Sequence, residues 1–238
     1  MTHLQSILEQ IKQLQAQYTP SSSVSTQLQD KSLVMFVAPA ATGKTFLMNS
    51  VRTIDSTFAR VPVFTTREAR EDDDPGMFRT LPHDEQHLES ILAKIKAGEL
   101  VQYVVHPSGR LYGTEPQDYP GDYNMLATLS DVVGQLSQLP FKQTLVIVVV
   151  TDVDTWESWL DARFPKGSSQ RQQRLLEAIH SLEWTLAQDP SSLIWANNIP
   201  DNAEQTANYI VDVVLGHKAG NDFSYLAEAM LQRAKELV

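Results

Sequence analysis

A glycine-lysine-threonine triplet between an apolar run and a helical pattern constrains this chain more than any other feature. The apolar run covers 33–37, the triplet is Gly43-Lys44-Thr45, and the helical pattern continues to Ile54. In loops of the form G-x-x-x-x-G-K-[ST], backbone N–H groups surround phosphate oxygens, the lysine reaches the outer phosphates and the hydroxyl meets Mg²⁺. The spacing predicts a phosphate-binding loop between a strand and a helix. An ordinary strand-turn-helix connection is the alternative.

The first position of this loop departs from the pattern, because Ala38 stands where the first glycine belongs. Alanine is unfavourable only where φ is positive or where its methyl group would meet a ligand. The consequence of the departure therefore depends on the backbone conformation at residue 38.

Composition narrows the class of protein. The chain has 238 residues, 42% of them hydrophobic and 20% charged, which suits one sizeable α/β core with appended parts. It contains no run of about eighteen apolar residues and no signal-peptide pattern, so we expect a cytoplasmic protein with no membrane partner. The absence of cysteine excludes disulfides and thiolate catalysis. The net charge of −10 disfavours nucleic acid as a partner.

The N-terminal segment 1–19 has the pattern of an amphipathic helix, with apolar residues at positions such as Leu4, Ile7 and Ile11. The polar segment 20–31 predicts a linker. The apolar stripe of the helix needs a partner, which is either its own domain or the same helix of a second copy in a homodimer.

The rest of the chain alternates strand-like and helix-like segments. Continuous apolar runs of this kind are typical of buried parallel strands, so we predict an α/β fold with a doubly wound parallel sheet flanked by helices. The runs lie at 33–37, 61–64, 125–129, 145–150 and 193–196.

Other stretches interrupt this alternation. An acidic stretch, a helical pattern at 84–97 and a hairpin around Pro107-Ser108-Gly109 predict an inserted subdomain at about 68–118. Two helical patterns separated by a polar break predict a mobile lid at about 156–175. We expect the principal domain at 32–218 and a C-terminal helix at 219–238.

Further motifs follow the phosphate loop along the chain. They are Thr65-Thr66-Arg67-Glu68-Ala69-Arg70, Leu111-Tyr112-Gly113-Thr114, Asp131-Val132-Val133-Gly134, the arginines Arg163 and Arg174, and Asn197-Asn198. In content and order, over about residues 32–215, these motifs and the phosphate loop resemble the guanylate kinase family. The resemblance implies a P-loop kinase that uses ATP and Mg²⁺, with an inserted acceptor-binding subdomain and a helical lid.

The resemblance also implies a role for each matched residue. Arg67 and Arg70 would clamp the acceptor monophosphate, to which the Tyr112 hydroxyl also donates. Arg163 and Arg174 would neutralise the transferring phosphoryl group. The implied catalytic residues are Lys44, Arg67, Arg163, Arg174 and Asp131; the ATP-binding residues are Ala40, Ala41, Thr42, Gly43, Lys44 and Thr45, with Asn197 and Asn198 near the adenine; the acceptor-binding residues are Val63, Arg67, Arg70, Phe78, Gln102, Tyr112 and Asp131; and the metal-binding residues are Thr45 and Asp131.

The same residues also admit structural roles. The alternatives are ion pairs with the acidic run for Arg67 and Arg70, cross-strand packing for Tyr112 and a helix N-cap for Asp131. The two arginines of the lid would then only solvate a helix face.

Departures from the family pattern fall where the acceptor base would be read. Val63 replaces a serine, Phe78 lacks a hydroxyl, and Gln102 replaces a carboxylate that would accept both N–H groups of the guanine edge. We expect a kinase that transfers the γ-phosphoryl group of MgATP to a purine nucleoside monophosphate, with GMP favoured and nucleotides as its partners. The alternatives are a kinase with a changed acceptor, such as another nucleotide or a phosphorylated sugar, and an inactive guanylate kinase-like module that binds a protein or a phosphopeptide.

Overall fold

The computed structural model describes residues 2–69, 73–74, 76–106 and 108–238. The chain divides into two compact units. The first unit consists of Met1–Ser32, Ala59–Asn124 and Leu136–Gln143, and the second of Leu33–Phe58, Met125–Gln135 and Thr144–Val238.

Helices and strands alternate along most of the described chain. The helices are α1 (His3–Gln15), α2 (Ser22–Leu28), α3 (Lys44–Ile54), α4 (Glu85–Ala97), α5 (Val133–Leu136), α6 (Val153–Arg163), α7 (Ser169–Leu186), α8 (Ala203–Val214) and α9 (Ser224–Leu237). The strands are β1 (Ser32–Val37), β2 (Phe58–Arg60), β3 (Val63–Thr65), β4 (Phe78–Thr80), β5 (Gln102–Val105), β6 (Leu111–Thr114), β7 (Tyr123–Ala127), β8 (Gln143–Val150) and β9 (Ile194–Asn197).

A parallel central sheet flanked by helices confirms the predicted α/β fold class. Its strand order over the described residues is β2-β7-β1-β8-β9. Every residue of the middle strand β1 is buried, which explains why its sequence is continuously apolar from Leu33 onward rather than alternating. In open sheets of this kind, ligands bind beyond the carboxyl ends of the strands. The predicted phosphate-binding loop leaves β1 at that end.

The apolar run at 61–64 is not a strand of the central sheet, which corrects one of our predictions. Pro62 has no N–H group to donate to a ladder and interrupts the run, so β2 ends at Arg60 and β3 begins at Val63. Strand β3 belongs to a four-stranded sheet with the order β4-β3-β6-β5. In this sheet β3 is parallel to β4 and antiparallel to β6, and β5 with β6 form the predicted hairpin.

Helices α1 and α4 cover one face of this four-stranded sheet. Ile7 and Ile11 of α1 are buried in a cluster that includes Ile91 and Ile95 of α4 and Phe64 of β3. The apolar stripe of the N-terminal helix is therefore packed within its own unit, in agreement with the first of the two alternatives. The homodimer stays a prediction.

The segment 20–31 is not an extended linker, which corrects a second prediction. Ser21 caps α2 by accepting a hydrogen bond from the Val24 backbone N–H, and Val24 and Leu28 are buried four residues apart on one helix face. The serines that suggested a flexible linker act here as a cap and a first helical turn.

The second unit has its own core on one side of β8 and β9. Trp156 of α6, Leu182 of α7 and Met230 of α9 are buried together in one cluster with Trp195 of β9. The C-terminal helix is thus part of this core. No helix in the described residues is long and apolar enough to cross a membrane.

Candidate active site

The predicted phosphate-binding loop, residues 38–45 and here called the phosphate loop, connects the middle strand of the central sheet to helix α3. Gly43 occupies the N-cap position of this helix with φ 77° and has no side chain with which to cap it. The first backbone N–H groups of a helix have no intrahelical acceptor and carry a positive partial charge. The loop therefore presents uncapped donors beside Lys44, which is an arrangement suited to an anion.

Backbone strain in the loop lies at Ala41 rather than at Ala38. Among the described non-glycine residues, positive φ occurs at Ala41, with φ 63°, and at Asp201. Residue 38 does not need the conformational freedom of glycine, so an alanine there is compatible with the loop conformation. The left-handed conformation of Ala41 costs about 1–2 kcal/mol.

Hydrogen bonds from three side chains fix the carbonyl groups of the loop. The Trp156 indole N–H donates to the Ala40 carbonyl at 2.9 Å, and the Asn198 amide donates to the Thr42 carbonyl at 2.8 Å. The Thr42 hydroxyl donates to the Pro39 carbonyl at 3.0 Å. With these carbonyls held by donors, the loop is preorganised with its N–H groups available.

Gly43 is required for the approach of Asn198 to the loop. A Cβ atom at residue 43 would lie 2.3 Å from the Asn198 amide nitrogen. Asn198 is 3% exposed, so it has little room to move away. We predicted Asn198 near the adenine, whereas the structure places its amide group on the loop backbone. No pattern in the sequence indicates that Trp156, far along the chain, donates to the Ala40 carbonyl.

Lys44 begins α3 and is the cation of the loop. No carboxylate among the described residues forms an ion pair with it, and burial lowers the pKa of its ammonium group to about 8. A desolvated ammonium group without a counter-ion is electrostatically unfavourable, and a bound phosphate would relieve this. The neighbouring Thr45 is exposed, so its hydroxyl is accessible to a ligand.

An open cavity of about 380 Å³ adjoins the loop within the second unit. Apolar and aromatic groups form much of its wall, including Phe46, which is 61% exposed, and Ile199, which is 45% exposed. Trp159 contributes a half-buried indole, and Arg163 and Asn198 contribute polar groups. A planar base fits such walls by stacking. Phe46 and Trp159 were not predicted from the sequence, because helical periodicity alone does not separate a cavity wall from a solvent-exposed face.

The two predicted lid arginines lie in different surroundings. Arg163 ends α6 and lines the cavity, with its guanidinium 5.4 Å from the centre of the Phe164 ring. Arg174 lies on α7, pairs with Glu177 at 2.6 Å and is 5.9 Å from the centre of the same ring. The structure therefore places Arg163 beside the phosphate loop and engages Arg174 with a carboxylate of its own helix. Whether the segment 156–175 moves as a lid stays a prediction.

Asp131 follows β7, the strand beside β1 in the central sheet. It lies inside a short 3₁₀ turn, Ser130–Val132, whose N-cap is Leu129, so the alternative N-cap role is wrong. Its side chain is 63% exposed and forms a hydrogen bond with the His180 ring of α7. A role for Asp131 toward Mg²⁺ or the acceptor stays a prediction, and it requires this pair to open. Asn197 ends β9, where its side-chain oxygen is buried without a hydrogen-bond partner among the described residues.

Four predicted acceptor residues share one face of the four-stranded sheet in the first unit. Val63 pairs with Phe78, and Thr65, two residues further along β3, pairs with Tyr112. Tyr112 in turn pairs with Val104, two residues from Gln102. Because side chains two apart lie on the same side of a strand, Val63, Phe78, Gln102 and Tyr112 form one surface, here called the acceptor face. It is opposite to the face that packs on α1 and α4 through Phe64.

Arg67 lies just beyond β3, and its guanidinium is already engaged by the chain. It donates from both terminal nitrogens to the two carboxylate oxygens of Asp73, one of them at 2.8 Å, and to the Glu68 carbonyl at 2.8 Å. The Phe78 ring lies under it at 4.6 Å. The hydrogen bond to Asp73 is the main reason that the pKa of Arg67 is raised, and the Tyr112 hydroxyl also contributes. Arg70, the second predicted clamp residue, lies outside the described residues.

The fold of this chain is similar to that of a protein of known structure. The chain is similar to the crystal structure of a guanylate kinase from Anaplasma phagocytophilum, with a TM-score of 0.51 and 13% sequence identity. The similarity covers 80% of this chain and 87% of that one. The chain has a guanylate kinase-like fold. Neither a protein-family model nor a curated protein matches it.

At this low identity, the guanylate kinase-like fold is what the similarity establishes. The residues that we matched by motif still occupy coherent places within each unit: the phosphate loop with Lys44 and Arg163 in one, and Arg67 with the acceptor face in the other. The chemistry of these two groups supports the functional proposal below.

Proposed function

We propose that this protein belongs to the guanylate kinase family and is a nucleoside monophosphate kinase, transferring the γ-phosphoryl group of MgATP to GMP. One observation carries the proposal most directly. Lys44, with no carboxylate partner among the described residues, begins an uncapped helix at the carboxyl end of the central strand, beside an open cavity with aromatic walls. A nucleoside triphosphate has the negative charge that suits Lys44 and the helix start, and the planar base that suits the aromatic walls of the cavity.

The donor half of the proposed reaction uses residues of the second unit. The loop N–H groups and Lys44 would bind the β and γ phosphates, and Arg163, exposed at the edge of the cavity, would neutralise charge that develops during transfer. Arg174 would join it after release from Glu177. Phosphoryl transfer needs positioned cations more than covalent help, so these groups are a sufficient set.

Oxygen ligands suited to Mg²⁺ are present in the same unit. The Thr45 hydroxyl is exposed on the first turn of α3, and the exposed Asp131 carboxylate follows the adjacent strand. Hydroxyl and carboxylate oxygens fit the preference of Mg²⁺ for hard ligands. When bound, Mg²⁺ would neutralise the phosphates of ATP, and Thr45 and Asp131 would hold it, directly or through water.

The acceptor half uses Arg67 and the acceptor face of the first unit. Arg67 and the Tyr112 hydroxyl lie close enough to interact, and a planar guanidinium with a neighbouring hydroxyl is a good match for a monophosphate. We propose that Arg70 completes this site, as the motif predicts. Gln102 and Val63 would then face the acceptor base.

A coupled assay of ADP release tests the proposal. The full chain is incubated with MgATP and a panel of nucleoside monophosphates, and we expect turnover that is fastest with GMP and absent in Lys44→Met. Binding of MgATP without turnover of any monophosphate would contradict the proposed activity. It would favour an inactive binding module instead.

A kinase with a changed acceptor is the second candidate, because two side chains on the acceptor face are unsuited to guanine. Val63 offers no hydrogen-bonding group, and Gln102 offers one carbonyl oxygen where guanine presents two N–H donors. We expect the double substitution Val63→Ser with Gln102→Glu to raise kcat/KM for GMP about 10-fold. AMP turnover, measured in parallel, should not rise. An unchanged GMP rate, with a faster reaction of another phosphorylated acceptor, would favour the second candidate.

A further inference from the structure

Asp73 occupies the part of Arg67 that a phosphate would use. Both terminal nitrogens of the guanidinium donate to the two oxygens of this one carboxylate. Arginine binds carboxylates and phosphates through the same fork of parallel N–H groups. The carboxylate of Asp73 therefore has the geometry of a bound anion rather than that of a distant counter-charge.

The remaining surface of Arg67 is also covered. One N–H group donates to the Glu68 carbonyl, and Phe78 lies 4.6 Å below the guanidinium. The side chains of Arg67 and Asp73 are only 10% and 17% exposed. A phosphate that reaches Arg67 through its terminal fork must displace Asp73, because the other approaches are largely closed by the chain itself.

Neighbouring arginines of the same unit are neutralised in a similar way. Arg60 forms an ion pair with Asp74, the residue after Asp73. Arg79, adjacent to Phe78, pairs with Glu115 at 2.5 Å. Carboxylates of the chain thus hold Arg60, Arg67 and Arg79. Lys44 of the phosphate loop, in contrast, has no such partner among the described residues.

We propose that Asp73 is an internal stand-in for the acceptor phosphate, and that it sets the acceptor affinity by competing for Arg67. This inference rests on the proposed function for the identity of the acceptor. An intramolecular competitor lowers the apparent affinity by the fraction of time that Arg67 is free. If Asp73 holds Arg67 about nine-tenths of the time, removing the competitor raises the affinity about 10-fold. Since MgATP does not use Arg67, its affinity stays unchanged.

Asp73→Asn tests this competition, because it keeps the shape of the side chain and removes its charge. Calorimetry on the full chain measures binding of GMP, of inorganic phosphate as a probe without a base, and of MgATP. We expect GMP and inorganic phosphate to bind about 10-fold more tightly, and MgATP to bind as in the parent chain. In the kinase assay, KM for GMP should fall by a similar factor with little change in kcat.

Glu68→Gln is the matched control, since it removes one negative charge from an exposed residue next to Arg67. It should change GMP affinity by about twofold or less, because a solvated charge is screened. Adding Arg67→Ala to Asp73→Asn should abolish the gain. If Asp73→Asn fails to fold, Asp73→Ser repeats the measurement with a smaller uncharged partner.

The outcomes separate this inference from the proposed function. Unchanged or weaker phosphate binding in both uncharged variants would overturn the inference and would make Asp73 a residue that positions Arg67, even if MgATP binding and turnover persist. Tighter phosphate binding in a chain that binds no MgATP and shows no turnover would support the inference and contradict the kinase activity.

Discussion

The phosphate loop of the second unit and the Arg67 site of the first unit hold their cations in opposite ways. Lys44 is desolvated and has no carboxylate partner among the described residues, and burial lowers the pKa of its ammonium group to about 8. Arg67 is largely buried, but it is paired with Asp73, donates to the Glu68 carbonyl and lies over the Phe78 ring, and its pKa is raised. One site is preformed and electrostatically unsatisfied, and the other is satisfied by the chain itself.

Because of this difference, binding of an anion should affect the stability of the two sites in different ways. An unpaired buried cation destabilises the ligand-free fold, and binding of an anion recovers that free energy. Removing one partner of a buried ion pair destabilises the ligand-free fold, and an incoming anion must take the place of that partner. We therefore expect the phosphate loop to bind its ligand readily, while the Arg67 site requires a rearrangement of Asp73 first.

The largest expected effect comes from Lys44→Met. Removing the ammonium group should weaken MgATP binding about 100-fold or more, since a charge-assisted contact to phosphate is lost. The same substitution should stabilise the ligand-free chain by ~1–2 kcal/mol at pH 7, because a desolvated charge is replaced by an apolar side chain. Calorimetry and urea unfolding measure the two effects. Loss of both binding and stability would contradict the description of Lys44 as unsatisfied.

The pH dependence of stability follows from the same lysine. Its pKa is about 8 in the folded chain and ordinarily 10.5, so between these values the unfolded chain binds more protons. Stability of the parent chain should therefore rise with pH across this window relative to Lys44→Met. The advantage of the variant is full below pH 8 and disappears as the pH approaches 10.5. Urea unfolding of both proteins from pH 7 to 10 measures the difference.

Removing the cation of the Arg67–Asp73 ion pair should destabilise the chain, whereas removing that of Lys44 should stabilise it. Arg67→Ala leaves the mostly buried Asp73 carboxylate without its partner, and we expect a loss of about 2 kcal/mol in stability. A double-mutant cycle with Asp73→Ala should give a coupling free energy of about 1–3 kcal/mol. The cycle is measured by urea unfolding without ligand. Coupling near zero would mean that the pair contributes nothing to the fold, and the comparison of the two sites would fail.

Preorganisation of the phosphate loop depends on Asn198. Asn198→Ala removes the hydrogen bond to the Thr42 carbonyl, and we expect a loss of about 1–1.5 kcal/mol in stability together with a severalfold loss of MgATP affinity. Asn202→Ala is the control, since Asn202 is exposed and makes no side-chain cap at the start of α8. It should change stability by about 0.5 kcal/mol or less. Equal effects of the two substitutions would remove the case for a clamped loop.

The smallest expected effects distinguish Ala41 from Ala38 in the loop. Ala41→Gly relieves a left-handed alanine and should stabilise the chain by about 0.5–1 kcal/mol. Ala38→Gly restores the first glycine of the loop motif where positive φ is not required, so it should destabilise the chain by about 0.5–1 kcal/mol through the entropy of the unfolded state. Thermal unfolding of the two variants measures both changes in stability. A gain in stability or in MgATP affinity from Ala38→Gly would show that the glycine of the motif matters here.

The elements that were predicted correctly from the sequence are those whose structure a local pattern decides. The buried strand β1, the helix that starts at Lys44 and the hairpin of β5 and β6 all follow from periodicity and turn residues. Two predictions were wrong. The segment 20–31 contains a helix with a serine cap and two buried residues, and at 61–64 Pro62 divides the apolar run between two strands. In both places a few specific contacts outweighed composition.

In the candidate site, too, local features follow from the sequence and contacts between distant residues do not. The order Gly43-Lys44-Thr45 after a buried strand predicts a phosphate-binding loop, because backbone donors at a helix start are a local property. Other features of the site depend on which side chains meet in space. Trp156 and Asn198 hold the loop, Phe46 and Trp159 line the cavity, and Asp73 binds the two terminal nitrogens of Arg67. Spacing along the chain does not encode such pairings, since they arise from packing between distant elements. The sequence by itself thus determined which cations the protein carries, and only the tertiary structure decided which of them the chain has already satisfied.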